Sequence, residues 1–181
     1  MLKEKRYYTA EDYFAMTDKE GRFELIDGEL YDMSPAPSLT HQDIVLDLGS
    51  EIKSYIRRNK GGCRVYVAPA DVMFSKTDVV QPDVFVVCDR DKLDGNRCNG
   101  APDWIIEVLS PSDSTRDTKI KLDLYRRFGV REYWIVDPEA EKVTVHIFGT
   151  NTIGIYSFGE PVPVWIYSGE PEPLEIAVSK E

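Results

Sequence analysis

Two nearly uninterrupted apolar runs, Trp104–Leu109 and Glu132–Val136, constrain this chain more than any other feature of its sequence. Runs of that length and character suit strands covered on both faces of a sheet. Between them, Thr115–Phe128 places apolar residues at Ile120, Leu124 and Phe128, the spacing of one helix face, and Gly129 closes the segment. Strand, helix and strand in that order and length form a parallel crossover. The chain is therefore expected to build an α/β fold around a sheet whose central pair is parallel.

The remaining elements extend that sheet. Thr9 caps a short helix expected to end near Asp18–Gly21, and Asp27-Gly28 turns a hairpin between Arg22–Ile26 and Leu30–Met33. Ser38 or Thr40 opens a helix to about Asn59, with Ile44, Leu48, Ile52 and Ile56 on one face and Gly61-Gly62 as its stop. Strands are expected at Arg64–Ala68, Asp71–Ser75 and Val84–Cys88, and a surface loop at Asp89–Pro102. Ser110–Ser114 leads into the crossover helix, and Lys142–Phe148 with Ile153–Phe158 forms a second hairpin. The proline-rich tail allows only short or edge strands. The result is a mixed central sheet flanked by helices, with an N-terminal hairpin and a C-terminal β extension, in one domain over residues 1–181.

Composition excludes several classes. A net charge of −10 and a pI near 4.8 rule against a protein that coats nucleic acid. No apolar run nears the roughly 18 residues of a membrane span, and no signal peptide is read at the N-terminus. Cys63, Cys88 and Cys98 are odd in number and lack metal-type spacing, so reduced thiols in the cytoplasm are expected. The apolar, aromatic segment Ile153–Tyr167 is expected to be covered in a homodimer.

Three acids sit in apolar strand contexts, where an unpaired carboxylate costs several kcal/mol. Glu107 lies within Trp-Ile-Ile-Glu-Val-Leu, Asp83 follows Pro82 before Val-Phe-Val-Val, and Glu24 lies in Arg-Phe-Glu-Leu-Ile. None of those apolar runs supplies a matching cation beside its acid, and a hard divalent cation would satisfy all three. A supporting ammonium could come from Lys121, four residues before Tyr125 on one helix face, with Lys119 facing solvent. His41 at a helix start is expected to pack against the hairpin. Two basic clusters, Arg57-Arg58 with Lys60 and Arg64, and Arg126-Arg127 with Arg131, read mainly as solvated faces.

Phe23–Leu30, Met33-Ser34-Pro35 with His41, Val80–Val84, Pro102–Ser112, Lys121–Tyr125 and Glu132–Pro138 together resemble the Uma-two family of restriction-endonuclease-like proteins. The resemblance covers about residues 8–148 and implies the PD-(D/E)XK nuclease fold. It assigns Asp83 and Glu107 as metal-holding acids, joined by the Val108 carbonyl, with Mg²⁺ as cofactor and Mn²⁺ as substitute. Glu24 becomes an additional site acid. The superfamily's strand lysine position holds Leu109, and Lys121 is the implied replacement. DNA is the implied partner and phosphodiester hydrolysis the implied reaction. A non-catalytic binding module and a metal-free carboxylate-pair hydrolase remain the alternatives.

Overall fold

The computed structural model describes residues 6–16, 22–33, 37–111 and 115–180. A capping box between Thr9 and Asp12 starts Ala10–Ala15 (α1), which closes before the expected Asp18–Gly21 boundary; that boundary lies outside the described residues. Phe23–Ile26 (β1) and Glu29–Asp32 (β2) turn on Asp27 and Gly28, at φ 51° and 76°. Both values are left-handed, the conformation a two-residue hairpin turn requires. Ser38 caps Leu39–Arg58 (α2) by accepting the His41 N–H at 3.2 Å. Arg64–Val67 (β3), Val72–Ser75 (β4), Asp78–Val80 (β5) and Val84–Val87 (β6) follow. After them come Cys98–Asn99 (β7), Trp104–Val108 (β8), Thr115–Phe128 (α3) and Glu132–Asp137 (β9). Lys142–Ile147 (β10), Thr152–Ser157 (β11), Pro161–Pro163 (β12) and Glu175–Ala177 (β13) complete the order.

The expected crossover is present: β8 and β9 run parallel, with Glu107 opposite Ile135 and Val108 opposite Val136. They lie inside a six-stranded sheet of order β11-β10-β9-β8-β6-β3, whose other pairings are antiparallel. Helix α2 covers one face, burying Ile44, Leu48, Ile52 and Ile56 against Trp104, Ile106 and Trp134. It approaches β3 closely: a Cβ on Gly49 would stand 2.8 Å from Val67 Cγ1. Helix α3 covers the opposite face, where Leu124 and Tyr125 meet Phe85, Ile105 and Tyr133.

Four expectations are revised. The N-terminal hairpin is not isolated, because β5 pairs with β1 and carries it into a five-stranded sheet of order β2-β1-β5-β4-β7. At three residues, β5 is too short to show alternation. The Asp89–Pro102 loop contains a 3₁₀ turn at Arg90–Lys92 as well as β7. Cys63 and Cys88 are disulfide-bonded rather than free, since Arg64 pairs with Val87 and the next residues outward face each other. Finally, much of the C-terminal segment expected to need a partner is covered by its own chain. Val162, Val164 and Tyr167 join the α2 core, and buried Glu132 ties the segment down by accepting the Trp165 and Ile166 N–H groups at 3.1 and 2.9 Å.

One core residue sets a pH dependence. His146 on β10 is buried between the rings of Tyr133 and Phe148, at centroid distances of 6.0 and 6.2 Å, and its Nδ1 has no partner. Burial, and then the charge of Arg126, hold its pKa below the usual 6.5. Unfolding therefore takes up a proton in acid, so the stability tied to the neutral ring is complete above 6.5 and lost as pH falls through the lowered folded value. His146→Phe keeps the ring stack and removes the titration. In urea titrations wild type should lose stability relative to His146→Phe as pH falls below 6.5, and a pH-independent difference would exclude this account.

Candidate active-site cleft

Alternation along β8 decides where Glu107 points. Trp104, Ile106 and Val108 enter the core under α2, whereas Ile105 enters the core under α3. Glu107 shares the parity of Ile105 and so faces α3. There Lys121 Nζ donates to Glu107 Oε1 at 3.0 Å, and the Tyr125 hydroxyl donates to the same oxygen at 2.5 Å. Lys121 and Tyr125 are four residues apart on one helix face, so a single helix delivers both donors. Lys119, by contrast, is exposed.

The second sheet supplies Glu24. Its Oε1 stands 3.1 Å from Lys121 Nζ and also accepts the Gln81 N–H at 3.0 Å. Gln81 is held in turn, donating through Nε2 to Asp71 at 3.0 Å and accepting from Arg22 at 3.2 Å. Asp83 stands at the entrance to β6, where its carbonyl accepts the Ala68 N–H at 3.0 Å. Its Oδ2 accepts the Val108 N–H at 2.8 Å and lies 3.2 Å from His41 Nε2. His41 is thus anchored to Asp83, not merely packed against the hairpin as expected. Tyr125, His41 and Gln81 are the residues that sequence reasoning left without a place in the site.

The cluster is electrostatically strained. Burial pushes the Glu107 carboxyl up to about 7; Lys121 opposes that shift, and the charges of Asp83 and Glu24 add to it. Lys121 is held well above its usual range: burial opposes its charge, but Glu107, Glu24 and Asp83 outweigh burial. His41 is likewise raised, with burial lowering it and the Asp83 hydrogen bond and charge prevailing. Burial and the nearby Glu107 raise Tyr125, so its hydroxyl stays a donor.

Glu24, His41, Gln81, Asp83, Glu107 and Lys121 line one cleft of about 530 Å³, which also takes in Leu109, Ser110, Ile120 and Tyr133. Leu109, in the position where a strand lysine was looked for, contributes apolar wall. Of the basic clusters, Arg127 bridges Asp27 and Asp78 at 2.9 and 3.2 Å, Arg131 pairs with Asp103 at 3.1 Å, and Arg126 lies over the Phe148 ring. That cluster fastens the two sheets and α3 together.

Removing Lys121 leaves two mostly buried carboxylates facing each other. Lys121→Met should therefore cost about 2–3 kcal/mol in urea denaturation, the lower part of the range for breaking a buried pair because the side chain is a fifth exposed. Adding Glu24→Gln should recover part of it. A silent Lys121→Met would show that the ion pair contributes nothing to folding.

The Uma2 family model matches residues 10–170. No curated protein matches the chain. Among solved structures, the crystal structure of a "putative nuclease belonging to DUF820" from Anabaena variabilis is 22% identical and superposes with a TM-score of 0.76. The alignment covers 93% of this chain and 94% of that one, and at this identity the likeness speaks for the fold: mixed α/β, restriction-endonuclease-like. With the family match running from α1 to beyond β12, the chain belongs to the Uma2 family, described as "Putative restriction endonuclease".

Proposed function

We propose that this protein is a Mg²⁺-dependent endonuclease that hydrolyses phosphodiester bonds in DNA, with Mn²⁺ able to substitute. The observation that carries the reading is the convergence of Glu24, Asp83, Glu107 and Lys121 on one cleft from three different parts of the fold. Asp83 and Glu107, with the Val108 carbonyl, would hold the cation. Mg²⁺ commonly rests on one or two carboxylates and keeps several waters. The donors suit it on two counts. Hydrogen bonds from the described residues fall on Asp83 Oδ2 and Glu107 Oε1, so each carboxylate keeps a second oxygen. Burial raises Glu107 to about 7 and the charges of Asp83 and Glu24 add to the rise, which a cation would offset. Among the described residues no three His, Cys, Asp or Glu side chains gather into a complete cage, so water and phosphate oxygens would finish the shell.

When bound, such a cation polarises the scissile phosphate and lowers the pKa of its water. Lys121 brings an ammonium to the place where negative charge develops on the phosphate. Glu24 keeps that ammonium charged and aimed, Tyr125 fixes Glu107, and His41 with the Val108 N–H fixes Asp83, the outer-shell role that orients ligating carboxylates. A second reading, a binding module that keeps the fold without catalysis, draws on one observation: Glu24 and Glu107 already engage Lys121 fully.

We place the protein in the cytoplasm as a homodimer. Ile153 and Ile155, 58% and 66% exposed on edge strand β11, are the surface a second copy would cover. A monomer of 20.7 kDa by light scattering at micromolar concentration would exclude the dimer. The Cys63–Cys88 bond sits uneasily with a reducing compartment, and thiol alkylation in intact cells would tell, a bridged pair counting against the cytoplasm.

Mn²⁺ at a hundredfold excess over its Kd should stabilise the fold by about 2.7 kcal/mol, and Asp83→Ala should abolish the effect. With DNA as substrate, Lys121→Ala should slow cleavage by roughly 10²-fold or more and Lys119→Ala should leave it unchanged, both assayed below their melting temperatures. A melting temperature that ignores Mn²⁺ in wild type and Asp83→Ala alike would remove the metal from the mechanism.

A further inference from the structure

The chemical groups of the cleft are sunk: the side chains of Glu24 and Glu107 are 9% exposed, that of Asp83 19% and that of Lys121 20%. A volume of about 530 Å³ falls in the range that encloses a small ligand, so a double helix does not fit inside it whole. For a scissile phosphate to reach Lys121, the backbone on either side of it has to bend into the cleft, which a paired strand resists.

Charge points the same way. Duplex binding rests on many Lys and Arg contacts to phosphates. Among the described lining residues, Asp32 and Asp117 join the three site acids, against Arg22, Lys121 and the ring of His41. Arg126, Arg127 and Arg131 are spent on Phe148, on Asp27 with Asp78, and on Asp103. Arg57 and Arg58 lie at the other end of α2 from His41, about 25 Å away along the helix. Among the described lining residues, cations are too few to make a basic track for two backbones.

One wall suits a base. Arg22, just before β1, lines the cleft with Glu24 and Ile26 of β1, and Tyr31 on β2 is the cross-strand partner of Glu24. Cross-strand partners stand side by side on one face, so the Tyr31 ring rises next to the carboxylate that holds Lys121. Met33 and, from α3, Ile120 extend the apolar lining. Aromatic rings beside a backbone channel are the usual means of holding unpaired bases, because every base has a face to stack.

We propose that the substrate is an unpaired DNA strand, its phosphate at Asp83, Glu107 and Lys121 and a neighbouring base stacked on Tyr31. This rests on the hydrolase reading above for the reaction, though not for the binding. With Mn²⁺ present, a labelled single-stranded oligonucleotide should be cut at least tenfold faster than the same sequence in a blunt duplex. With Ca²⁺ in place of Mn²⁺, fluorescence anisotropy should show the single strand bound at least tenfold more tightly than the duplex. Tyr31→Ala should weaken that binding by roughly tenfold, Tyr31→Phe should keep it, and both should retain Mn²⁺ stabilisation. Equal or faster cutting of the duplex overturns the proposal, as does single-strand binding indifferent to Tyr31→Ala. Single strand bound preferentially but never cut supports the proposal and sinks the hydrolase reading. Neither form bound sinks the proposal whatever the metal does.

Discussion

Lys121 holds three parts of this protein together at one point. Its ammonium lies 3.0 Å from Glu107 on the central sheet and 3.1 Å from Glu24 on the second sheet, while its own helix supplies the crossover between β8 and β9. A charge buried this far is tolerable only with partners. Glu107 and Glu24 would be equally costly without it. The second sheet, α3 and the central sheet therefore have to assemble together for any of these groups to be satisfied, and Arg127, bridging Asp27 and Asp78, braces the same junction from outside.

What the sequence disclosed follows from periodicity and local chemistry. The alternation of β8 fixed Glu107 on a different face from Ile106 and Val108, and the i,i+4 spacing of Lys121 and Tyr125 put both donors on one face of α3. The cap at Ser38, the turn at Asp27-Gly28 and the stop at Gly129 are likewise written in neighbouring residues. Each needs only a few adjacent positions to be read. The three acids were legible for the opposite reason: each contradicts its apolar surroundings.

The features that escaped are the ones fixed by long-range pairing. Strand β5 has three residues and becomes a strand only because Leu25 and Val79 meet across the second sheet. Cys63 and Cys88 are bonded because β3 and β6 align with Arg64 opposite Val87, a register no cysteine spacing reveals. His41 reaches Asp83 from a helix 42 positions earlier in the chain. That Lys121 would join Glu24 to Glu107 directly was out of reach for the same reason, since β1 and α3 are far apart in the chain.

That internal cation does not balance the site. Asp83, Glu107 and Glu24 together exceed the charge of Lys121, and the charges of Asp83 and Glu24 add to the burial that raises Glu107 to about 7. A cluster shaped for stability alone would do better with fewer acids, since well-packed apolar groups often replace buried ion pairs without loss. Leu109 sharpens the contrast, because the position beside Glu107 that could have carried a balancing charge carries apolar wall instead. The ammonium arrives from α3, on a stem long enough to follow an apolar surface and end among the acids. Acids in excess, drawn from strands of two sheets and faced by one ammonium from a helix, form an arrangement that stability does not require and that phosphate chemistry can use.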